Sequence, residues 1–279
     1  MRFITQIMIL SLLIFSIKNN KVYAQNENFR SRSTLGFSLG GSYYIGDLNP
    51  NKHFKNTHLS GGIFYKYHLN SRVEYRVGLR YGKVSGFDEQ ADSEALRARN
   101  LSFESHLFEI STGIEFNFLD YKLGNDKYFF TPYMFVDIGV FKMNPTAMLN
   151  GEKIALQTVG TEGQGSTLTE KKPYPLYQFV IPFGIGFKVN LGRRAAIGIE
   201  YGLRKTFTDY LDDVGEGDFI ERPVLAEQNG NIAAELSDRS LPGYNMSGKR
   251  GNPSTKDWYS MFGITFSFSL GNSSNCFYQ

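Results

Sequence analysis

The chain reads as an all-β protein: an eight-stranded antiparallel up-and-down β-barrel that crosses a membrane, with long extracellular loops and a cleaved signal peptide ahead of it. Three observations predict this. Eight segments alternate with a period of two, and one face of every segment is free of charge. Short and long connections between the segments alternate strictly. An N-terminal apolar run is too short to span a bilayer as a helix, which needs roughly 20 residues.

The N-terminal run comes first. Met1 and Arg2 precede the apolar stretch 4–17, and Val22-Tyr23-Ala24 puts small residues where a signal peptidase reads them. Residues 1–24 are therefore expected to be a signal peptide, 25–33 a periplasmic segment, 34–271 the barrel and 272–279 a tail. No cysteine follows the apolar run, which argues against a lipid-anchored N-terminus. The composition agrees with export to a membrane. Lys+Arg 30 against Asp+Glu 27 leaves +3, without the concentrated basic excess of a nucleic-acid binder. One cysteine, Cys276, excludes an intrachain disulfide framework and any Cys-rich zinc site. With 29 Gly, 24 Phe and 17 Tyr, the profile suits short strands and tight turns.

The segments follow in order. The first (35–45) sets Leu35, Phe37, Leu39, Tyr43 and Ile45 against Gly36, Ser38, Gly40, Ser42 and Tyr44. The second (59–69) sets Leu59, Ile63, Tyr65 and Tyr67 against Ser60, Gly62, Phe64, Lys66 and His68. The third (73–81) sets Val73, Tyr75, Val77 and Leu79 against Glu74, Arg76, Gly78 and Arg80. In the fourth (108–118), Phe108, Ile110, Ile114 and Phe116 face away from Glu109, Ser111, Gly113 and Glu115. In the fifth (130–140), Phe130, Met134, Val136 and Ile138 oppose Thr131, Tyr133, Phe135 and Asp137. The sixth (179–189) carries Phe179, Phe183, Ile185 and Phe187 against Gly184, Gly186 and Lys188. The seventh (197–203) carries Ile197, Ile199 and Tyr201 against Gly198, Glu200, Gly202 and Arg204, and the eighth (262–270) Phe262, Ile264, Phe266 and Phe268 against Gly263, Thr265 and Ser267.

Volume decides which face points out. The lumen of an eight-stranded barrel is barely wide enough for side chains to fill, so it cannot hold the Phe, Tyr, Ile and Leu of the uncharged face. That face belongs against lipid. The other face, of Gly, Ser and Thr with a few long charged chains, fits a narrow interior. It carries Lys66, Arg76, Arg80, Lys188 and Arg204 against Glu74, Glu109, Glu115, Asp137 and Glu200, a set balanced in sign. Buried charges are tolerable when paired, so a ladder of ion pairs is expected across the lumen. Such a ladder plugs the barrel, which disfavours a pore.

The short connections are 70–72, 119–127 and 191–194; the long ones are 47–56, 83–100, 142–175 and 208–256. Bacterial outer-membrane barrels have short periplasmic turns and long surface loops. An even number of strands then leaves both termini in the periplasm. Tyr43, Tyr67, Tyr81, Tyr128, Tyr177, Tyr210 and Trp258 lie near segment ends, as interfacial girdles require.

The last loop and its flanks are distinctive: Thr208-Asp209-Tyr210-Leu211-Asp212-Asp213, Glu235-Leu236-Ser237-Asp238-Arg239, then Arg250-Gly251-Asn252-Pro253 leading into Asp257-Trp258-Tyr259. With the opening 41–49, they resemble the PorG-like outer-membrane barrels of Bacteroidota over nearly the whole mature chain. The resemblance marks Asp209, Asp212, Asp213, Asp238, Arg239, Arg250, Asp257 and Trp258 as the loop motif. It implies a non-enzymatic component of the type IX protein secretion system, partnered by outer-membrane lipid and by periplasmic ring proteins similar to PorK and PorN. Loop 142–175 departs most from that pattern. Set apart from the resemblance, the same barrel suits a small surface-binding protein or adhesin working through loop 208–256.

Sites for chemistry are sparse. Asp209, Asp212, Asp213, Glu216 and Asp218 offer oxygens of the kind calcium takes, but their spacing matches no EF-hand loop. Pairing with Arg204, Arg239 or Arg250, or pinning of the loop over the barrel mouth, is the favoured reading. Asp47 and His58 could meet at the rim as an acid–base pair, although rim loops are rich in both residue types. No glycine-rich phosphate loop opens a helix, so nucleotide binding lacks support. No cofactor is expected.

Overall fold

The computed structural model describes residues 33–270 apart from 245–246 and 253. The expected signal peptide, the N-terminal segment up to residue 32 and the tail with Cys276 lie outside the described residues. Eight long strands close an antiparallel barrel: β1 (Ser33–Ile45), β2 (His58–His68), β3 (Val73–Phe87), β4 (Ser102–Asn117), β5 (Phe130–Lys142), β8 (Tyr177–Leu191), β9 (Ala195–Thr206) and β10 (Trp258–Ser269). A hairpin of β6 (Pro145–Leu149) and β7 (Glu152–Ala155) interrupts the numbering within one loop. Each barrel strand pairs with its neighbour in sequence, and β1 pairs with β10 to close the ring. Closure leaves no sheet edge, which lipid would not tolerate. The β5–β8 ladder lapses opposite Pro182, a residue with no N–H to give.

The period of two sorts the side chains. Leu39, Ile63, Ile138, Ile185 and Phe179 stand exposed on the outer wall, while Glu74 and Glu115 are completely buried within. The outer wall is thus an apolar belt around a polar centre, the surface of a transmembrane barrel. Among the described residues, no helix is long and apolar enough to cross a membrane. The belt makes a direct prediction. Ile138 is two-thirds exposed in the middle of β5. An Ile138→Arg variant is expected to lose about 2–4 kcal/mol of stability in vesicles, the depth-dependent cost of arginine at the midplane, read as a lower urea midpoint.

Strands β3 and β4 run past the alternating segments, to Phe87 and from Ser102. Beyond Tyr81 the outward face carries Lys83, Glu104 and His106 while Val84, Phe103 and Leu107 are buried, so the apolar lipid-side pattern ends although pairing continues from Lys83↔His106 to Phe87↔Ser102. The long loops add further structure: a turn of 3-10 helix (Asp88–Gln90), α1 (Glu94–Arg99), the one-turn α2 (Leu156–Val159), α3 (Arg222–Asn229) and α4 (Asn231–Ser237). They meet above the lumen around Leu48, Leu101, Phe103, Leu156, Tyr174, Leu211, Val214 and Leu236, an apolar cap continuous with lumen residues Tyr44, Phe141 and Tyr259. Two of the expected girdle tyrosines belong elsewhere. Tyr210 stacks on Tyr174 inside the cap at 4.7 Å, and Tyr43 lies on the outer wall but beneath His53 and Phe54 of the first loop.

Candidate functional site

The lumen is filled by one connected network. At the short-turn end, Lys188 Nζ donates to Glu74 at 2.6 Å and Glu115 at 2.7 Å, and Lys66 Nζ donates to Glu115 at 2.7 Å. His68 sits between Thr34 and Glu74, 2.7 Å from the Thr34 hydroxyl and 3.1 Å from the Glu74 carboxylate. In the middle, Arg76 Nη1 reaches Glu200 at 3.0 Å and Glu115 at 3.2 Å, while its Nε lies 3.4 Å from Asp137. Arg80 donates to Glu200 at 2.7 Å. At the loop end, Arg204 Nε and the Tyr259 hydroxyl donate to Glu109 at 3.3 and 2.7 Å. The structure brings together all ten charged residues of the expected ladder.

Aromatic rings line this network as part of it. The Arg76 guanidinium lies over the Phe135 ring at 4.0 Å, Lys188 sits over Tyr121 at 4.5 Å, and the Tyr133 hydroxyl donates to Glu200 at 3.0 Å. Glycine opposite makes room for them. A Cβ at Gly36 would fall 2.3 Å from Phe64, and one at Gly186 would fall 2.3 Å from Tyr133. Parity alone places Tyr133 and Phe135 inside; their part in the network follows only once the strands are in register. His68 carries the same inward parity.

Above the lumen, two arginines tie the loops. Arg99 at the end of α1 forks onto Asp88 at 2.7 and 2.8 Å and donates to the carbonyls of Arg250 and Asp47. Arg250 donates to the carbonyls of Asp213 at 2.5 Å and Ser237 at 3.1 Å, with its guanidinium 3.5 Å from Glu162. Asp213, in the left-handed region at φ 66°, accepts from Thr161 at 2.5 Å and Tyr174 at 2.7 Å. Asp212 and Asp257 both lie against the Tyr44 hydroxyl, the latter at 3.0 Å. Burial pushes both of these carboxyls well above the usual range, helped by repulsion from Asp257 and Asp47 on Asp212 and from Asp47 and Asp209 on Asp257. Burial likewise lifts Asp213 to about 6, even with Arg250 beside it.

The remaining motif residues spread out. Asp209 is buried 3.6 Å from Lys256, which also holds Glu216 at 3.1 Å. Asp238 accepts from the Ser240 amide, and Arg239 donates to Ser102. Trp258 is on the outer wall beneath Lys205. Asp218 pairs with Lys249 at the surface. Among the described residues, no group of three or more His, Cys, Asp or Glu is arranged to hold a metal ion. Asp47 and His58 do not form the acid–base pair: Asp47 accepts from the Asn252 amide, while His58 bonds to Ser85 at 2.7 Å.

Solved structures match at low identity. Ail, the attachment invasion locus protein of Yersinia pestis, solved with the heparin analogue sucrose octasulfate, is 8% identical, covering 85% of this chain and 96% of its own, with a TM-score of 0.39. Neisserial surface protein A is 9% identical, covering 86% and 98%, with a TM-score of 0.41. The outer membrane protein OprG of Pseudomonas aeruginosa gives the same identity, coverage and TM-score. These likenesses are too distant to bear on function. No curated protein matches. A family model covers residues 7–279, and on that match the chain belongs to the family described as Domain of unknown function (DUF6089).

Proposed function

We propose that this chain is a non-enzymatic outer-membrane barrel serving as a structural component of the type IX protein secretion machinery. Both termini then lie in the periplasm, and the short turns face periplasmic ring proteins similar to PorK and PorN. One observation carries the general part of this reading. The lumen is filled by ion pairs and its mouth is closed by packed loops, so among the described residues the barrel offers no conduit. A barrel of that kind works through its surfaces. The secretion role is supported by the PorG-like resemblance, whose motif residues Asp212, Asp213, Arg250 and Asp257 are the ones that tie the cap.

The test is a pull-down from detergent-solubilised outer membranes, with identification of the bound proteins, beside a clean deletion strain. Recovery of ring proteins and loss of cargo export are expected; normal export from the deletion strain would reject the role. The short-turn end exposes Lys127 and Arg193. Reversing both to glutamate is expected to lower ring-protein recovery on the order of ten-fold, equivalent to about 1.4 kcal/mol, with the barrel still folded.

A second reading, surface binding, is favoured by a cleft of about 570 Å³ among α1, the β6–β7 hairpin, α3 and α4, lined by Arg222, Arg239 and Glu235. Removal of 222–237 would separate the two: it spares export if the cleft serves surface binding alone.

A further inference from the structure

We propose that the outer wall across β5, β8, β9 and β10 binds an anionic glycolipid of the outer leaflet. Its phosphates sit on Lys142 and Lys205, and its acyl chains lie in the apolar groove below Lys205, which runs from β8 across β9 and β10 to β1. The inference rests on the outer-membrane placement, with the long loops outward, and not on the secretion role.

The placement of the charges carries the headgroup part. Lys142 continues the outward face of β5 two positions beyond Val140, and Lys205 continues that of β9 two positions beyond Leu203. Both stand at the loop ends of their strands, one edge above the apolar belt. Lys142 is opposite Tyr177, with its Nζ 5.7 Å from the ring centre. Lys205 is opposite Trp258, with its Nζ 4.4 Å from that ring. An ammonium resting on an aromatic face is held at the interface with its charge toward the headgroups. Among the described residues, neither lysine has a carboxylate within ion-pair distance. Another sector of the same rim is neutralised: Lys83 and Lys153 flank Glu104 at 2.9 and 3.0 Å. Strands β5 and β9 are two spacings apart, about 10 Å, and the register on β8 sets Lys142 opposite Tyr177 and Lys205 opposite Ile181, about 13 Å further along the strands, so a headgroup that joins the two lysines carries more than one phosphate.

The groove carries the acyl part. Tyr201 and Ile199 continue the outward face of β9 below Lys205, and with Phe187, Phe262, Ile264 and Phe54 they line a groove of about 640 Å³. Phe54 is its unusual wall. It belongs to the first loop, yet its ring lies 5.1 Å from Phe262 and 6.1 Å from Tyr201 on the outside of the barrel. Its backbone is left-handed, at φ 60°, a conformation that bulky residues rarely adopt. Strain of this sort persists where the surroundings hold it and tends to mark binding elements. Here it sets a half-exposed ring as one side of a lipid-facing trough. Charge at headgroup level with an apolar trough beneath describes an anionic amphiphile. A second copy of the chain docked face to face would set these lysines near their own counterparts, which is unfavourable.

The test uses the mature full chain in phosphatidylcholine vesicles, with bisphosphorylated lipid A as probe and its dephosphorylated form as comparison. Trp258 is the sole tryptophan, so its emission reports the site directly, and retention of lipid A in native mass spectra gives an independent reading. Saturable binding of lipid A is expected. Dephosphorylation, or the double variant Lys142→Gln/Lys205→Gln, should weaken it roughly ten-fold or more, since each lysine near such a surface contributes. Phe54→Ala should weaken binding of both lipid forms alike. Equal binding of the two forms, wild-type affinity in the double variant, or a second copy crosslinked over this wall in place of lipid would overturn the proposal. The mobility difference between heated and unheated samples reads insertion separately. A chain that inserts without phosphate preference loses the lipid site only; one that fails to insert loses the membrane placement as well.

Discussion

An Arg76→Met barrel is expected not to reach its heat-resistant form, or to lose it at a much lower urea concentration. Methionine keeps the length and the apolar contact with Phe135, so the change isolates the charge. Arg76 serves three carboxylates, Glu200, Glu115 and Asp137. Glu115 retains Lys66 and Lys188, and Glu200 retains Arg80. Asp137 is left with a Ser111 hydroxyl at 3.5 Å. Removing one partner from a buried pair is worth about 3–5 kcal/mol, a large part of the roughly 5–15 kcal/mol that separates most folded and unfolded chains. Arg76→Lys keeps a charge but not the planar fork that reaches several carboxylates at once, so it should fall between the two. Adding Asp137→Asn to Arg76→Met should recover part of the loss, and with Asp137→Asn alone to complete the cycle the values give their coupling. Unfolding in micelles followed by unheated electrophoresis gives all four values. An unchanged midpoint in Arg76→Met would mean that the ladder is not what holds the lumen.

The barrel was legible because lipid and lumen impose opposite demands at every second residue. Phe37 and Leu39 must be apolar, while Ser38 and Gly40 must be small or polar, whatever lies elsewhere in the chain. The ladder was legible as a set for the same reason, since Arg76 and Glu200 share inward parity. Their pairing was not, because it joins residues 124 apart and depends on the registers of every strand between them. Legibility ended where the ribbon rises above the lipid and its outer face need no longer be apolar. In the upper parts of β3 and β4 the apolar residues Val84, Phe103 and Leu107 are buried and Lys83, Glu104 and His106 stand on the other face, so the lipid-side pattern stops and these parts read as loop. The cap helices do carry local signals, Pro223 in the first turn of α3 and Gly230 at its end. Tyr210 shows the opposite error. Its position near a strand end suited a lipid interface, but a Glu162 carboxylate 3.2 Å from its hydroxyl and the Tyr174 ring draw it into the cap. Asp47 and His58 were adjacent in the expected rim yet face different partners, because the first loop turns down over the outer wall.

Raising the pH is expected to loosen the cap while leaving the barrel closed. The Tyr44 hydroxyl has one proton, and two carboxylates lie against it, Asp212 and Asp257. One contact is a hydrogen bond only if a carboxyl supplies a second proton, so the closed cap holds a proton that the free loop releases in neutral water. Asp47 adds like charge to this pair, and the cations around it are engaged elsewhere: Arg99 with Asp88, Lys256 with Asp209 and Glu216. Asp213 acts in the same direction, lifted to about 6 by burial against the pull of Arg250. The sign follows from the raised values. The closed form binds more protons than the open one, so this contribution is complete below the ordinary carboxylate pKa near ~4. It is lost progressively as the pH climbs from there to the raised values, about 6 for Asp213 and higher for Asp212 and Asp257. One group lifted by about two units changes the closed-to-open ratio on the order of a hundred-fold across that window. Limited proteolysis of loop 207–257, on barrels held in vesicles, should therefore be slow near pH 5 and fast near pH 8. Asp212→Asn keeps a partner for the Tyr44 hydroxyl without the charge, so it should flatten the profile and hold the cap closed at the higher pH. A cap cleaved equally at both values, or faster in acid, would show that these carboxyls are ionised in the closed form and that the arginines, not shared protons, hold the loops down.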